Sequence, residues 1–438
     1  MATTPPATKT PERPTLAARH ARVAVAVLFF TNGALFANLL PRYPEIKETL
    51  DLSNAAFGAA VAAFPLGALI AGLSAGLLIR RFRSSRVAVI ATLLGAVGFV
   101  AAGLAPSWIL LAAALFVTGA MDSITDVAQN SHGLRVQQLY GRSILNSFHA
   151  VWSMGAVLGG LMGAALAQAG LDLGPHMVIS AVLFSVAAVL AYRWLLAGPE
   201  PVETDTPAPA TLETTTSPDA ATSPAPRARG GLTLARVGIL GALVVIAASG
   251  GIVEDAGASW AAIYLSGPLG ATVFVAGFGF IALQGLQFVG RILGDRLVDA
   301  FGQRAVARTG GVIVFVGMGF ALVVPTVVGT VVGFGLAGLG VATLIPAAMH
   351  GADQIPGLAP GSGLTIVSWL LRVGFLVSPP LVGAVADATS LRVGLLVVPL
   401  AGLLVIVFSQ VLEKRAPRVP VSPPQAPATA APATPPGH

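Results

Sequence analysis

Hydrophobic residues run along this chain in long unbroken blocks rather than alternating with polar ones. Twelve blocks fall at roughly 22–40, 54–79, 87–105, 107–131, 143–169, 176–197, 233–265, 271–297, 304–324, 326–350, 361–387 and 390–412. About 20 apolar residues cross a bilayer as a helix. Only helices or closed barrels satisfy the backbone inside hydrocarbon, and barrel strands need only about 9–11 alternating residues. The blocks therefore predict an all-α membrane protein with twelve transmembrane helices in two pseudo-symmetric six-helix bundles. The seventh block exceeds what a straight crossing needs, so tilt or a break is expected there.

Polar, Pro-rich segments divide the chain. They predict an N-terminal tail over 1–21, a bundle over 22–198, a Pro/Thr/Ala-rich linker over 199–231, a second bundle over 232–412 and a tail over 413–438. Tails and linker read as disordered. The N-terminus lacks the basic-then-apolar order of a cleaved signal peptide. Charged residues make up 10% of the chain and hydrophobic ones 55%, whereas a soluble domain carries about 25% charged residues. The absence of cysteine excludes disulfides, thiolate metal sites and Cys nucleophiles. The net charge of +6 does not point to nucleic acid, because the basic residues sit at helix ends instead of in one patch. Arg outnumbers Lys, and Ala, Gly and Val abound, a hint of a GC-rich bacterial coding sequence and hence a bacterial plasma membrane.

With the N-terminus in the cytoplasm, Arg80, Arg81, Arg83 and Arg86 fall inside, as do Arg135, Arg142, Arg193, Arg236, Arg291, Arg296, Arg304 and Arg308. Of 25 Lys and Arg residues, only Arg42, Lys47 and Arg392 fall outside and Arg372 lies mid-helix, which leaves 21 inside. Positive residues stay cytoplasmic, so both termini and the linker are expected there.

The halves repeat. Leu78-Ile79-Arg80-Arg81-Phe82 aligns with Leu297-Val298-Asp299-Ala300-Phe301, His132-Gly133 with His350-Gly351, and Gly159–Ala164 with Pro379–Ala384. Two six-helix halves with a site at their interface is a secondary-transporter plan. This layout, with its cytoplasmic linker and basic turns after the second and eighth helices, resembles the major facilitator superfamily. The superfamily's turn signature is roughly Gly-x-x-x-Asp-Arg-x-Gly-Arg-Arg. Gly76–Arg83 has lost the acid and the second glycine, while Asp295–Arg304 keeps Asp299, Gly302 and Arg304. Asp126-Val127-Ala128-Gln129-Asn130 is similar to the acid-x-Ala-x-Asn segment of the fucose-permease-like branch, as are Asn146-Ser147-Phe148-His149 and Glu254…Trp260…Tyr264. The resemblance implies the major facilitator fold and proton-linked solute transport, with Glu254 substrate-facing or proton-linked. It does not fix the solute.

Ionisable groups inside apolar helices usually face a cavity. Asp122, Asp126 and Asn130 recur every four residues and share one face of the fourth helix. Asp126 is the first candidate for a proton carrier; an ion pair locking the bundle is the alternative. Asn130 either orients Asp126 or the backbone, or meets substrate. Glu254 and Asp255 point about 100° apart, and Asp255 is expected to reach outside water. Arg372 stays charged and needs an anion: Asp122, Asp126, Glu254 or a substrate carboxylate. Asn146, His149 and Ser153 share a face of the fifth helix, where His149 serves either as ligand or as packing. His132 and His350 are expected at cytoplasmic helix ends, bound to terminal carbonyls. Gln284, Gln287, Thr31, Asn32 and Asn38 are polar liners or helix–helix glue. Trp152, Trp260 and Trp369 are candidates to stack on a solute, whereas Trp108 and Trp194 read as interface anchors. Gly155-Ala156-Val157-Leu158-Gly159 reads as a small-residue packing motif.

No P-loop sequence occurs, and no metal, cofactor or enzyme constellation is found. The expected function is secondary active transport of a small polar, sugar-like solute by alternating access with protons. Proton/drug antiport is the main alternative, and a transport-dead sensor a lesser one. The expected partners are solute, protons and lipid, with no nucleic acid, and the chain is expected to act as a monomer.

Overall fold

Each apolar block becomes one helix. The computed structural model describes residues 14–142, 144–198, 233–358 and 362–413. The linker expected over 199–231, and all of the expected tails except residues 14–21 and 413, lie outside them. Among the described residues twelve helices are long and apolar enough to cross a membrane. They are α1 (Leu16–Thr49), α2 (Asn54–Phe82), α3 (Ser84–Gly103), α4 (Trp108–Tyr140), α5 (Leu145–Gln168) and α6 (Leu173–Tyr192). The second set is α7 (Leu234–Ser266), α8 (Val273–Phe301), α9 (Gln303–Val323), α10 (Val327–Asp353), α11 (Ser362–Ala388) and α12 (Leu391–Val411).

Local chemistry sets the ends. Hydroxyls of Thr15, Ser53, Ser107, Thr272, Thr326 and Ser390 accept from first-turn N–H groups of α1, α2, α4, α8, α10 and α12, which relieves orphan helix donors. Proline sets the breaks, because it removes the hydrogen bond to the carbonyl four residues earlier. Pro346 accounts for the interruption at Ala342–Thr343 in α10, and Pro399 for the one at Leu395–Leu396 in α12. Pro41 sits in the 3-10 turn Leu40–Arg42 of α1. The long seventh helix, where tilt or a break was expected, is unbroken from Leu234 to Ser266.

The two sets pack alike. α1 lies on α5 as α7 lies on α11, α2 on α4 as α8 on α10, and α3 on α4 and α6 as α9 on α10 and α12. In the α1–α5 seam, Gly155, Gly159 and Gly163 lie against the backbone at Phe30, Ala34 and Asn38. Small residues four apart allow that approach in lipid, where apolar burial gives little drive. The turn after α2 places Arg83 at φ 74, ψ 143, and the turn after α8 places Gly302 at φ 85, ψ 154. The repeated turn thus keeps its backbone where the first copy has lost its glycine. Leu73, Ile109 and Val328 are 79%, 70% and 74% exposed, as expected of side chains whose solvent is lipid.

The bundles meet along α2–α11 and α5–α8. At the end opposite the basic turns, Gly58 lies against the carbonyl of Pro379, and Gly383 against that of Asn54. Asp387 of α11 there accepts from the N–H of Asn54 at 2.9 Å, from Asn54 Nδ2 at 2.8 Å and from the N–H of Ala55 at 2.8 Å. At this same end Arg42 donates to the carbonyl of Leu171 and pairs with Glu45 at 3.0 Å. Arg392 donates to the carbonyls of Leu322 and Val323. These two exceptions to the basic-residue asymmetry are therefore held by chain carbonyls at helix ends.

Candidate transport site between the bundles

Three helices of the first bundle form a continuous polar chain. Trp152 of α5 donates its Nε1–H to Asn32 Oδ1 of α1 at 2.7 Å, and Asn32 Nδ2 donates to Asp122 Oδ1 of α4 at 2.7 Å. A small cavity lined by Asn32, Thr92, Thr118, Asp122 and Thr125 flanks it, with room for about one water molecule. One turn along α4, Asp126 accepts from Asn130 Nδ2 at 2.9 Å, and the same amide reaches the Asp126 carbonyl at 2.8 Å. His149 stands edge-on to Phe29, with ring centroids 5.2 Å apart, and acts electrostatically on Asp126.

The second bundle supplies the opposite charges. Arg372 of α11 crosses the interface: a Cβ added at Gly72 of α2 would lie 3.7 Å from its Nη1. Its guanidinium acts electrostatically on both Asp122 and Asp126, although no carboxylate oxygen lies within ion-pair distance of it among the described residues. Glu254 of α7 is not its partner. Glu254 accepts from Gln287 Nε2 and faces Arg291 Nη2 at 3.4 Å, both on α8. Arg291 also acts on His149 across the interface. Gln284 Nε2 and Ser153 Oγ, 3.5 Å apart, join α8 to α5. Arg372 of the second bundle thus bears on the two acids of the first, while Glu254 is held by Arg291 within its own bundle, as expected of ionisable groups kept inside a membrane protein.

Residues 25–349 match the family model described as Major Facilitator Superfamily. The chain belongs to that superfamily. It is 28% identical, over 89% of its length and 97% of the relative's, to an uncharacterised transporter, y4wD, of Sinorhizobium fredii. Its fold is similar to that of a mutant of the nucleoside transporter NupG, with a TM-score of 0.68 at 14% identity over 89% of this chain and 99% of the other. A D-xylose–proton symporter gives a TM-score of 0.62 at 16% identity, over 89% and 97%. The protein is a transporter of the superfamily, not an enzyme.

Within this facilitator fold the sequence-predicted residues divide. Trp152, Asn32 and Asp122 form one hydrogen-bonded chain and Asp126 and Asn130 a second pair one turn on, both under the charge of Arg372, with His149 beside Asp126. Glu254 forms a second group with Gln287 and Arg291, and Gln284 stands between the bundles. Asn146 is exposed on α5 and Trp369 is 48% exposed on α11, away from the hydrogen bonds of this group among the described residues. Trp260 departs from the expectation: it is fully buried, edge-on to Phe57 at 5.6 Å, so its ring faces protein. Asp255 does not reach outside water but is 8% exposed, accepting from Ser259 at 3.1 Å. His132 lies within α4, because that helix runs on to Tyr140, and it accepts from the N–H of Leu196 while its Nδ1 meets Ser84 Oγ at 2.8 Å. It therefore ties α4 to the start of α3 and to the segment that follows α6. His350 is exposed and meets Gln354 Nε2 at 2.8 Å.

Arg291 is the residue the sequence reading passed over as a site group. Its signal was present, since Gln284, Gln287 and Arg291 recur at helical spacing on one face of α8.

Proposed function

We propose that the protein moves a small polar solute by alternating access, coupled to protons, with Asp126 and Asp122 as the coupling carboxyls. The observation that supports this most is Arg372, a fixed cation on one bundle that bears on two acids of the other. Proton binding to those acids changes the attraction between bundles, and rocking the bundles changes the field at the acids. The similarity of Asp126–Asn130 to the fucose-permease-like branch, with the amides of Asn32, Asn130 and Gln284, favours a hydrogen-bonding, sugar-like cargo. The basic turns favour a cytoplasmic position for that end in a bacterial plasma membrane, with the clasped end outside. The chain acts as a monomer.

The test uses proteoliposomes with D-xylose and uridine as first probes. Wild-type protein is expected to accumulate a transported probe when the lumen is alkaline. Asp126→Asn is expected to abolish accumulation while solute exchange survives. Undiminished uphill transport by that variant removes Asp126 as the coupler.

A further inference from the structure

Among the described residues Asp255 is a buried carboxyl without a countercharge. It lies in α7 against α11 and the end of α1, 8% exposed. Its Oδ1 accepts from Ser259, but its Oδ2 has no hydrogen-bond partner. No Arg, Lys or His lies within ion-pair distance of it among the described residues. Tyr43 of α1 is the titratable group close enough to feel its charge, while the neighbouring Glu254 is turned toward Gln287 and Arg291. The hydroxyl of Ser378 on α11, 1% exposed, borders Asp255 and also lacks a well-formed partner. Pro379 and Pro380 follow it and deprive the carbonyls of Phe375 and Leu376 of their usual helical donors. Buried carboxylate and hydroxyl oxygens therefore gather where nothing among the described residues balances the charge. An isolated ion in such surroundings is strongly disfavoured.

We propose that Asp255, Ser259 and Ser378 form a site for a small monovalent cation, a proton or a sodium ion, sealed within the closed end of the bundle interface. All the ligands are oxygen and only one is a carboxylate, which suits a single positive charge. Trp260 and Phe57, edge to face between α7 and α2, and Tyr43 and Phe57, between α1 and α2, close the site toward the clasped end. Separating the bundles there uncovers Asp255, so cation exchange occurs in one state and occlusion in the other. That coupling role rests on the transport reading above; the cation site itself does not.

The experiment measures thermal unfolding of purified full-length protein in choline chloride and in sodium chloride, at acidic and alkaline pH. Wild-type protein is expected to lose about 2 °C or more in alkaline choline relative to acidic choline, while Asp255→Asn, which carries no charge, loses less. Recovery on exchanging choline for sodium identifies sodium; no recovery identifies the proton. Ser378→Ala, which keeps the acid but removes an oxygen, is expected to deepen the alkaline loss. Parallel profiles for wild type and Asp255→Asn overturn the proposal. Should Asp255→Asn fail to fold, an unchanged profile for Ser378→Ala overturns it. Because no flux is measured, failure here leaves the transport reading standing, and absence of flux in proteoliposomes leaves the cation site standing.

Discussion

Asp387 is the most economical handle on the motion that transport requires. Its two carboxylate oxygens take three hydrogen bonds of 2.8–2.9 Å from Asn54 and Ala55, at the first turn of α2 in the other bundle. A carboxylate there also meets the positive end of the helix dipole, worth about 0.3–1 kcal/mol at an exposed site. Hydrogen bonds to a charged group contribute about 1.5–3 kcal/mol, but this clasp is open to solvent, so the lower part of that range applies. Asp387→Asn keeps the shape, loses the charge and sets an amide N–H against a backbone N–H. It is expected to weaken closure by about 1 kcal/mol, roughly a fivefold shift toward the state open at this end. Asp387→Ala removes all three acceptors, for about 2 kcal/mol and roughly a thirtyfold shift. The chain has no cysteine, so Glu48→Cys on α1 and Ala388→Cys on α11 can carry spin labels without other substitutions. Double electron–electron resonance then reads the populations of short and long distances between the bundles. If neither variant increases the long-distance population, or if Asn exceeds Ala, the clasp does not control this end.

Arg83→Gly is expected to stabilise the protein by about 1 kcal/mol, because φ 74, ψ 143 is a region costing a side chain roughly 1–3 kcal/mol, partly offset by the freer unfolded chain; chemical denaturation of the two proteins measures it. A double-mutant cycle of Glu254→Gln with Arg291→Gln, read by thermal unfolding, should give a coupling energy of about 1 kcal/mol. The cycle of Glu254→Gln with Arg372→Gln should give none, and equal values would mean that the α7–α8 pairing is wrong. Gly159→Val places a branched side chain against the backbone at Ala34 and is expected to cost about 2–3 kcal/mol or more, seen as aggregation or a lowered unfolding temperature in detergent.

The number of helices was legible in the sequence because a membrane span is an accumulated quantity, and a few polar residues do not erase about 20 apolar ones. Their ends were less so. α4 continues nine residues beyond the expected 131, through polar positions up to Gln138, because hydropathy fades at the membrane surface while the backbone has no reason to stop until Gly141, at φ 59. Breaks in α10 and α12 were marked by Pro346 and Pro399, yet Pro65, Pro379 and Pro380 lie inside continuous helices. The residue type alone therefore did not decide. In the site, spacing put Asp122, Asp126 and Asn130 on one face, but partners depend on how helices rotate against one another. That is why Glu254 was open to Arg372 when Arg291 holds it. The same gap explains Asp255: adjacency to Glu254 separates the two directions without saying which one leads to solvent.

The repeat explains why the site lies where it does. In the register that aligns Gly159 with Pro379, Trp152 of α5 corresponds to Arg372 of α11. Both bear on Asp122, Trp152 through Asn32 and Arg372 across the interface by its charge. Equivalent positions of the two bundles thus both bear on one carboxyl of the first bundle. The backbone has kept that symmetry and the charges have not. In the register that aligns His132 with His350, the counterparts of Asp122 and Asp126 are Gly340 and Leu344, on either side of the break in α10. The acids therefore belong to one bundle and Arg372 to the other. Under the alternating-access reading proposed above, the bonds from Trp152 to Asn32 to Asp122 travel together when the bundles rock, while the separation between Arg372 and the acids changes. In the proposed reading, the electrostatic interaction that responds to proton binding is then the same one that the motion stretches, and that identity couples a titrating group to a conformational change.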